Sequence, residues 1–125
     1  MTLPHHSLVA WQRADDLFIA LHQLSRRFPA SERFELASQM RRSAFSVAAN
    51  IVEGFGRKPG KERLHLLQVA SASLAEAGYC LHVAKRLGYV SPETYAQLEL
   101  SVRQVAAPLR GLMRSEEPKQ RTQAT

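Results

Sequence analysis

The 125-residue sequence has a single cysteine, Cys80, so no internal disulfide can form, and this usage fits a reducing cytoplasm. No run approaches the roughly 18 uncharged apolar residues of a membrane span, so no membrane association is expected. The opening Met1-Thr2-Leu3-Pro4-His5-His6 has no basic residue followed by a long apolar stretch, and no signal peptide is expected there. No segment shows the β-branched, period-two alternation of a strand. Six glycines and six prolines fall mostly between apolar segments, which argues against a low-complexity or fibrous chain. Acidic residues are the scarcer charge, 11 against 17 Lys+Arg, giving +6 and a pI near 10.1. A well-solvated surface explains that balance, and so does a polyanionic partner.

The length supports one domain that buries roughly two-thirds of its chain surface. Breaks at residues 28–31, 56–60 and 87–92 leave four pieces, about 8–27, 31–56, 61–87 and 91–114, followed by a polar tail at 115–125. Each piece carries apolar residues at alternating steps of four and three. They are Ala10, Ala14, Leu17, Leu21, Leu24 and Phe28 in the first, and Leu64, Leu67, Ser71, Leu74, Gly78 and Leu81 in the third. The fourth repeats Tyr95, Leu98, Val102, Val105, Leu109 and Leu112. In the second, Leu36, Met40, Ala44, Val47 and Ile51 form a stripe widened by Phe45, Ala48, Val52 and Phe55. Steps averaging 3.5 keep one face on a neighbour, and short connections make neighbours antiparallel. The predicted fold is all-α, an antiparallel up-down-up-down four-helix bundle.

Ser91-Pro92-Glu93 reads as a helix start, Ser31-Glu32 reads the same way for the second helix, and Gly88 reads as a C-terminal stop. Pro108 is discordant inside the fourth helix, because it removes a hydrogen bond to Gln104. A kink near 104–108 is expected, or an earlier end followed by a short extra helix. The third helix is rich in small residues, among them Ala70, Ser71, Ala72, Ser73, Ala75, Ala77, Gly78 and Ala84. These suit tight packing inside the bundle or a contact with another subunit.

Candidate chemistry is sparse. His5, His6, His22, His65 and His82 form no His–His pair at close helical spacing, and no metal ligand set or di-iron pattern is expected. His5-His6 reads as a flexible terminus, and Cys80 as a buried, inert thiol. Gly54 and Gly56 lack the strand–turn–helix setting of a phosphate loop. No cofactor and no enzymatic activity are therefore expected. Asn50, Glu53 and Arg57 share a helix face, with Arg42 two turns earlier and Glu76 placed to meet these arginines from the third helix. This set reads as a structural polar network or as the lining of a pocket.

Two basic concentrations remain. Arg57, Lys58, Lys61 and Arg63 surround the second connection, opposed by Glu62, while Arg103, Arg110 and Arg114 form a stripe pointing toward Lys119 and Arg121. Such arginines contact phosphates without reading bases. No aromatics are interleaved with them, so base stacking is not suggested.

Several segments together resemble a known family. They are Trp11-x-x-Ala14-x-x-Leu17, Phe28-Pro29-x-x-Glu32, Gln39-x-Arg41-Arg42-Ser43-Ala44-x-Ser46-Val47-x-x-Asn50-Ile51-x-Glu53-Gly54-x-x-Arg57, Ala70-x-x-Ser73-Leu74-x-Glu76 and Leu87-Gly88-Tyr89. They look like the bacterial four-helix bundle proteins named for the 23S ribosomal RNA intervening sequence, over residues 8–114. The resemblance implies antiparallel bundles assembled into homopentameric rings with a central opening. A related branch, the accessory variability proteins of diversity-generating retroelements, is strongly basic and associates with a reverse transcriptase and nucleic acid. Pro108 departs from the family's fourth helix. The reading that results is a non-enzymatic, cytoplasmic homopentamer that binds nucleic acid, RNA before DNA, or acts as a scaffold. The basic residues Arg57, Lys58, Lys61, Arg63, Arg103, Arg110 and Arg114 would carry the contact. The alternative is a structural module that docks a protein partner. A ring of five would carry five times +6, or +30.

Overall fold

The computed structural model describes residues 3–118. Its order is a 3₁₀ turn at Pro4–Ser7, α1 (Val9–Ser25), a second 3₁₀ turn at Ala30–Glu32, α2 (Leu36–Phe55), α3 (Lys61–Arg86) and α4 (Pro92–Glu116), with no strand among the described residues. Ser25 faces Arg41 and Phe18 meets Phe45, so positions on α2 rise as those on α1 fall. Ser46 meets Ser73 and Gly54 meets Arg63, which sets α3 against α2 in the same sense. Lys85 lies over Tyr95 and Gly60 bonds to Glu116, so α4 returns antiparallel to α3. Helix α1 closes the bundle against α4, where Arg13 reaches Gln104.

The predicted stripes form the core. Ala10, Ala14, Leu17 and Leu21 of α1 are buried with Met40, Ala44, Val47 and Ile51 of α2, and with Val105 and Leu109 of α4. Helix α3 contributes Leu67, Leu74 and Leu81, and beside them Ala70, Ala77 and Ala84, each 0% exposed. Those alanines recur every seven residues and let the neighbouring helices approach closely, so the small-residue character of α3 is used largely inside the bundle. Exposed Ala72 and Ala75 are the exceptions.

Three helix ends follow from local chemistry. Ser91 caps α4, its hydroxyl accepting from the Thr94 amide at 3.1 Å, with Pro92 at the first helical position. Helix α3 stops at Gly88, φ +80°, where the Gly88 amide bonds to Lys85 and the Tyr89 amide to Ala84. This 6→1 and 5→2 pair needs a left-handed residue, which glycine supplies without strain. The N-terminus of α3 is capped by a remote group, the Glu116 carboxylate accepting from the Gly60 amide at 2.8 Å.

The structure corrects four expectations. Helix α2 starts at Leu36, not at Ser31. Residues 30–35 close instead through i→i+3 bonds, Glu32 to Pro29 at 2.8 Å and Glu35 to Glu32 at 3.2 Å. The Glu32 side chain accepts from the Tyr89 hydroxyl at 2.8 Å, and so ties the first connection to the third. Ser115 and Glu116 belong to α4 rather than to a polar tail; Lys119, Arg121 and the rest of that tail lie outside the described residues. Of the two outcomes expected at Pro108, the earlier end with a short extra helix does not occur, since α4 continues through it to Glu116. The carbonyl of Gln104, deprived of its helical partner, accepts from Arg13 Nη1 of α1 at 2.9 Å. Finally, His5-His6 is not a loose terminus. His5 is 6% exposed within the first 3₁₀ turn, its ring edge-on to Trp11 at 4.7 Å, and burial lowers its pKa from the ordinary 6.5, the neighbouring His6 adding to the effect.

Candidate nucleic-acid interface

The return of α4 to the second connection decides the electrostatics at that end of the bundle. The Glu116–Gly60 bond brings the last turns of α4, with Arg110 and Arg114, beside the connection that carries Arg57, Lys58 and Lys61. The second connection and the last turns of α4, separate in sequence, therefore occupy one end of the molecule, while Arg103 lies near the middle of α4.

The predicted cations do not all have the same use. Arg63 is half-buried and turned inward. Its Nε donates to the Gly54 carbonyl at 3.0 Å and its Nη2 to the Arg57 carbonyl at 2.8 Å, so it satisfies one carbonyl in the last turn of α2 and one in the connection that follows. It also lies 4.2 Å over the Phe55 ring and 3.9 Å from Glu116. Arg57 pairs with Glu53 at 3.2 Å and Glu62 at 3.5 Å, and Arg103 with Glu99 at 2.8 Å. These three are exposed, half-exposed or helix-local pairs that an incoming phosphate can exchange at little cost. Lys58, Lys61, Arg110 and Arg114 are exposed, and among the described residues none has a carboxylate within 4.0 Å.

The expected polar network resolves into separate groups. Asn50 donates to the Ser46 carbonyl at 2.8 Å and hydroxyl at 3.0 Å, and Ser46 meets Ser73 of α3 at 2.8 Å. This chain fixes the register of α2 on α3 and does not reach Glu53 or Arg57, which form their own ion pair at the helix end. Arg42 and Glu76 line a cleft of about 500 Å³ together with Gln39, Ser43 and the Ser46–Ser73 pair of that chain, with no ion pair between Arg42 and Glu76 within 4.0 Å. Gly54 lies against α3, its missing side chain facing the Arg63 carbonyl and Leu66. The Asn-Ile-x-Glu-Gly-x-x-Arg segment is thus largely a set of helix-packing and helix-ending devices.

Other candidate chemistry is similarly committed. Cys80 is 2% exposed, and burial pushes its thiol pKa up, the nearby Glu76 charge adding to that. The expectation of no carboxylate–histidine pattern overlooks one spacing, since Glu62 precedes His65 by three. Both side chains are exposed, and Glu62 is paired with Arg57. Di-iron bundles need two such motifs facing inward with two further carboxylates. No group of three His, Cys, Asp or Glu side chains among the described residues is arranged to hold a metal ion.

Residues that sequence reasoning missed include Arg13 and Glu116, which act on distant helix ends. Of the residues that widen the apolar stripe of α2, Ala48 and Phe55 pack against the core, whereas Phe45 is 58% exposed. With Trp11, Phe18, Ile19 and Val52 it lines an apolar groove of about 370 Å³ between α1 and α2.

The four helices, their antiparallel order and the shared basic end define a basic four-helix bundle. The sequence model of the 23S rRNA-intervening sequence protein family matches residues 6–111, and the chain belongs to that family. A crystal structure of a protein of unknown function from the S23 ribosomal protein family of Bacteroides thetaiotaomicron is similar, with a TM-score of 0.78 at 20% identity. The likeness covers 84% of this chain and 98% of that one, and it shows the fold. No curated protein matches the chain. No described helix is long and apolar enough to cross a membrane.

Proposed function

We propose that the chain is a non-enzymatic, cytoplasmic nucleic-acid-binding or scaffolding module that works as a homopentamer, with RNA as its first ligand. The observation that carries this reading is the gathering of Lys58, Lys61, Arg110 and Arg114, none with a carboxylate within 4.0 Å among the described residues, at one end of the bundle. Phosphates attract such a surface without base recognition, and repetition around a ring multiplies the field. The apolar groove of Trp11, Phe18, Ile19, Phe45 and Val52 supports assembly with further copies, because equally charged copies need apolar burial to overcome their repulsion.

A gel shift of labelled RNA at low and rising salt tests the ligand. Binding that weakens steeply with salt is expected, and no shift of RNA or DNA at low salt would sink the proposal. Arg110→Glu with Arg114→Glu should weaken binding alike for unrelated sequences. The same apolar groove favours the second reading, a module that docks a protein partner with no nucleic-acid role. Intact binding partners recovered from a nuclease-treated lysate, together with a negative gel shift, would establish it.

A further inference from the structure

The end of the bundle opposite the basic interface holds a second concentration of positive charge, and this one is concave. Between the end of α1 and the start of α2 lies a cavity of about 360 Å³ whose wall includes Arg26, Arg33 and Arg41, together with Ser25 and Phe28. Among the described residues no acidic side chain lines it. Of the two carboxylates in the connecting turn, Glu32 accepts from the Tyr89 hydroxyl at 2.8 Å and Glu35 is exposed, and neither lines the cavity. Among the described residues none of the three arginines has a carboxylate within 4.0 Å.

Arg41 is half-buried and held in place. Its Nη1 donates to the Ser25 hydroxyl at 3.2 Å and its Nη2 to the Arg33 carbonyl at 3.4 Å. Ser25 is 3% exposed and anchored in turn, donating to the His22 carbonyl at 2.7 Å. The guanidinium therefore has a fixed orientation, with further N–H groups of its five still available. The first turn of α2, which carries the cavity-lining Ala37, has no side-chain cap, so the positive end of the helix adds to the same field.

We propose that this cavity is an oxyanion site that takes the phosphate monoester or diphosphate of a small molecule. Arg41 is the positioned fork, Arg26 and Arg33 close over the charge, and Phe28 offers an apolar wall to the group that bears it. Arginine forks match phosphate oxygens in pairs, and a volume of this size admits more than one phosphate group. The site lies away from Lys58, Lys61, Arg110 and Arg114 and does not depend on the nucleic-acid reading.

Calorimetric titration of the full chain at low ionic strength, in a zwitterionic buffer, tests it with pyrophosphate, adenosine 5′-monophosphate and adenosine. Pyrophosphate and the monophosphate should bind, and adenosine should not. Arg26→Gln with Arg33→Gln, both exposed positions outside the core, should lower affinity about tenfold or more, the scale of one charge-assisted hydrogen bond. Arg41→Lys, which keeps the charge and loses the fork, should also weaken binding. Arg110→Gln with Arg114→Gln should leave it unchanged. Equal binding of adenosine, or undiminished affinity in the Arg26/Arg33 variant, would overturn the assignment. So would binding confined to 5′-phosphorylated RNA with both small probes silent, since the cavity would then be an RNA-end site.

Discussion

The contact between Arg13 and the Gln104 carbonyl gives a sharp test of how α4 tolerates Pro108. Proline has no N–H to offer that carbonyl, and the guanidinium takes the place at 2.9 Å. A hydrogen bond to a charged group contributes about 1.5–3 kcal/mol when shielded, and exposure of this one reduces it to about 1 kcal/mol. Arg13→Met should therefore destabilise the bundle by about 1 kcal/mol, or shift the urea midpoint by about 0.5 M. Pro108→Ala restores the helical N–H and relieves the ring clash, a gain of about 1–3 kcal/mol. In that background the carbonyl already has a partner, so Arg13→Met should cost almost nothing. Urea unfolding followed by circular dichroism, at one fixed protomer concentration, measures all four corners of this cycle. An Arg13→Met cost that is the same with alanine at 108 would refute the reasoning.

Four further outcomes follow from individual contacts. Met40→Ala and Leu81→Ala, at sites 0% exposed, should each cost about 2–5 kcal/mol in the same unfolding assay. Gly88→Ala should cost about 1 kcal/mol because of its φ of +80°, whereas Gly54→Ala should be neutral or stabilising, its new methyl meeting only ordinary contacts at 3.6 Å. His5 has a folded pKa below 6.5, so the unfolded chain binds the extra proton first. Its contribution to stability is complete above 6.5 and is lost as pH falls through 6.5 toward the folded value, which Trp11 fluorescence and a histidine NMR titration should show. Cys80 should resist aqueous thiol reagents in the native state and react in denaturant, and rapid native labelling would contradict its burial.

The four helices were legible because their signals are local and redundant. Leu17, Leu21, Met40, Val47 and Leu109 repeat at the helical period, and Ser91-Pro92 and Gly88 mark ends through chemistry within a few residues. The start of α2 was not legible from Ser31-Glu32, because Glu32 is drawn to Tyr89, 57 positions away. The same limit hid Arg13 beneath Pro108 and Glu116 at the start of α3, since both act across the bundle. Charge counting located the basic segments correctly in sequence, but it did not separate the inward-turned Arg63 from exposed Lys58 and Lys61. Nor did periodicity distinguish the buried side of α2 from the flank at Phe45 and Val52, because both flanks carry apolar residues at helical spacing. Arg26, Arg33 and Arg41 are separated in sequence, and the fold of the first connection places them around one cavity.

Assembly has its own check. Light scattering should give about 70 kDa, five times 14.0 kDa, and a species of 14.0 kDa would refute the pentamer. The reading as a nucleic-acid module is tested most directly by the salt dependence of RNA binding, measured by fluorescence anisotropy between about 50 and 200 mM salt. Four unpaired cations contacting single-stranded phosphates predict a log–log slope of about −3 per chain, made shallower by about 1.4 in the Arg110→Glu, Arg114→Glu variant. Absent binding at low salt, or a slope that this variant leaves unchanged, would contradict the account.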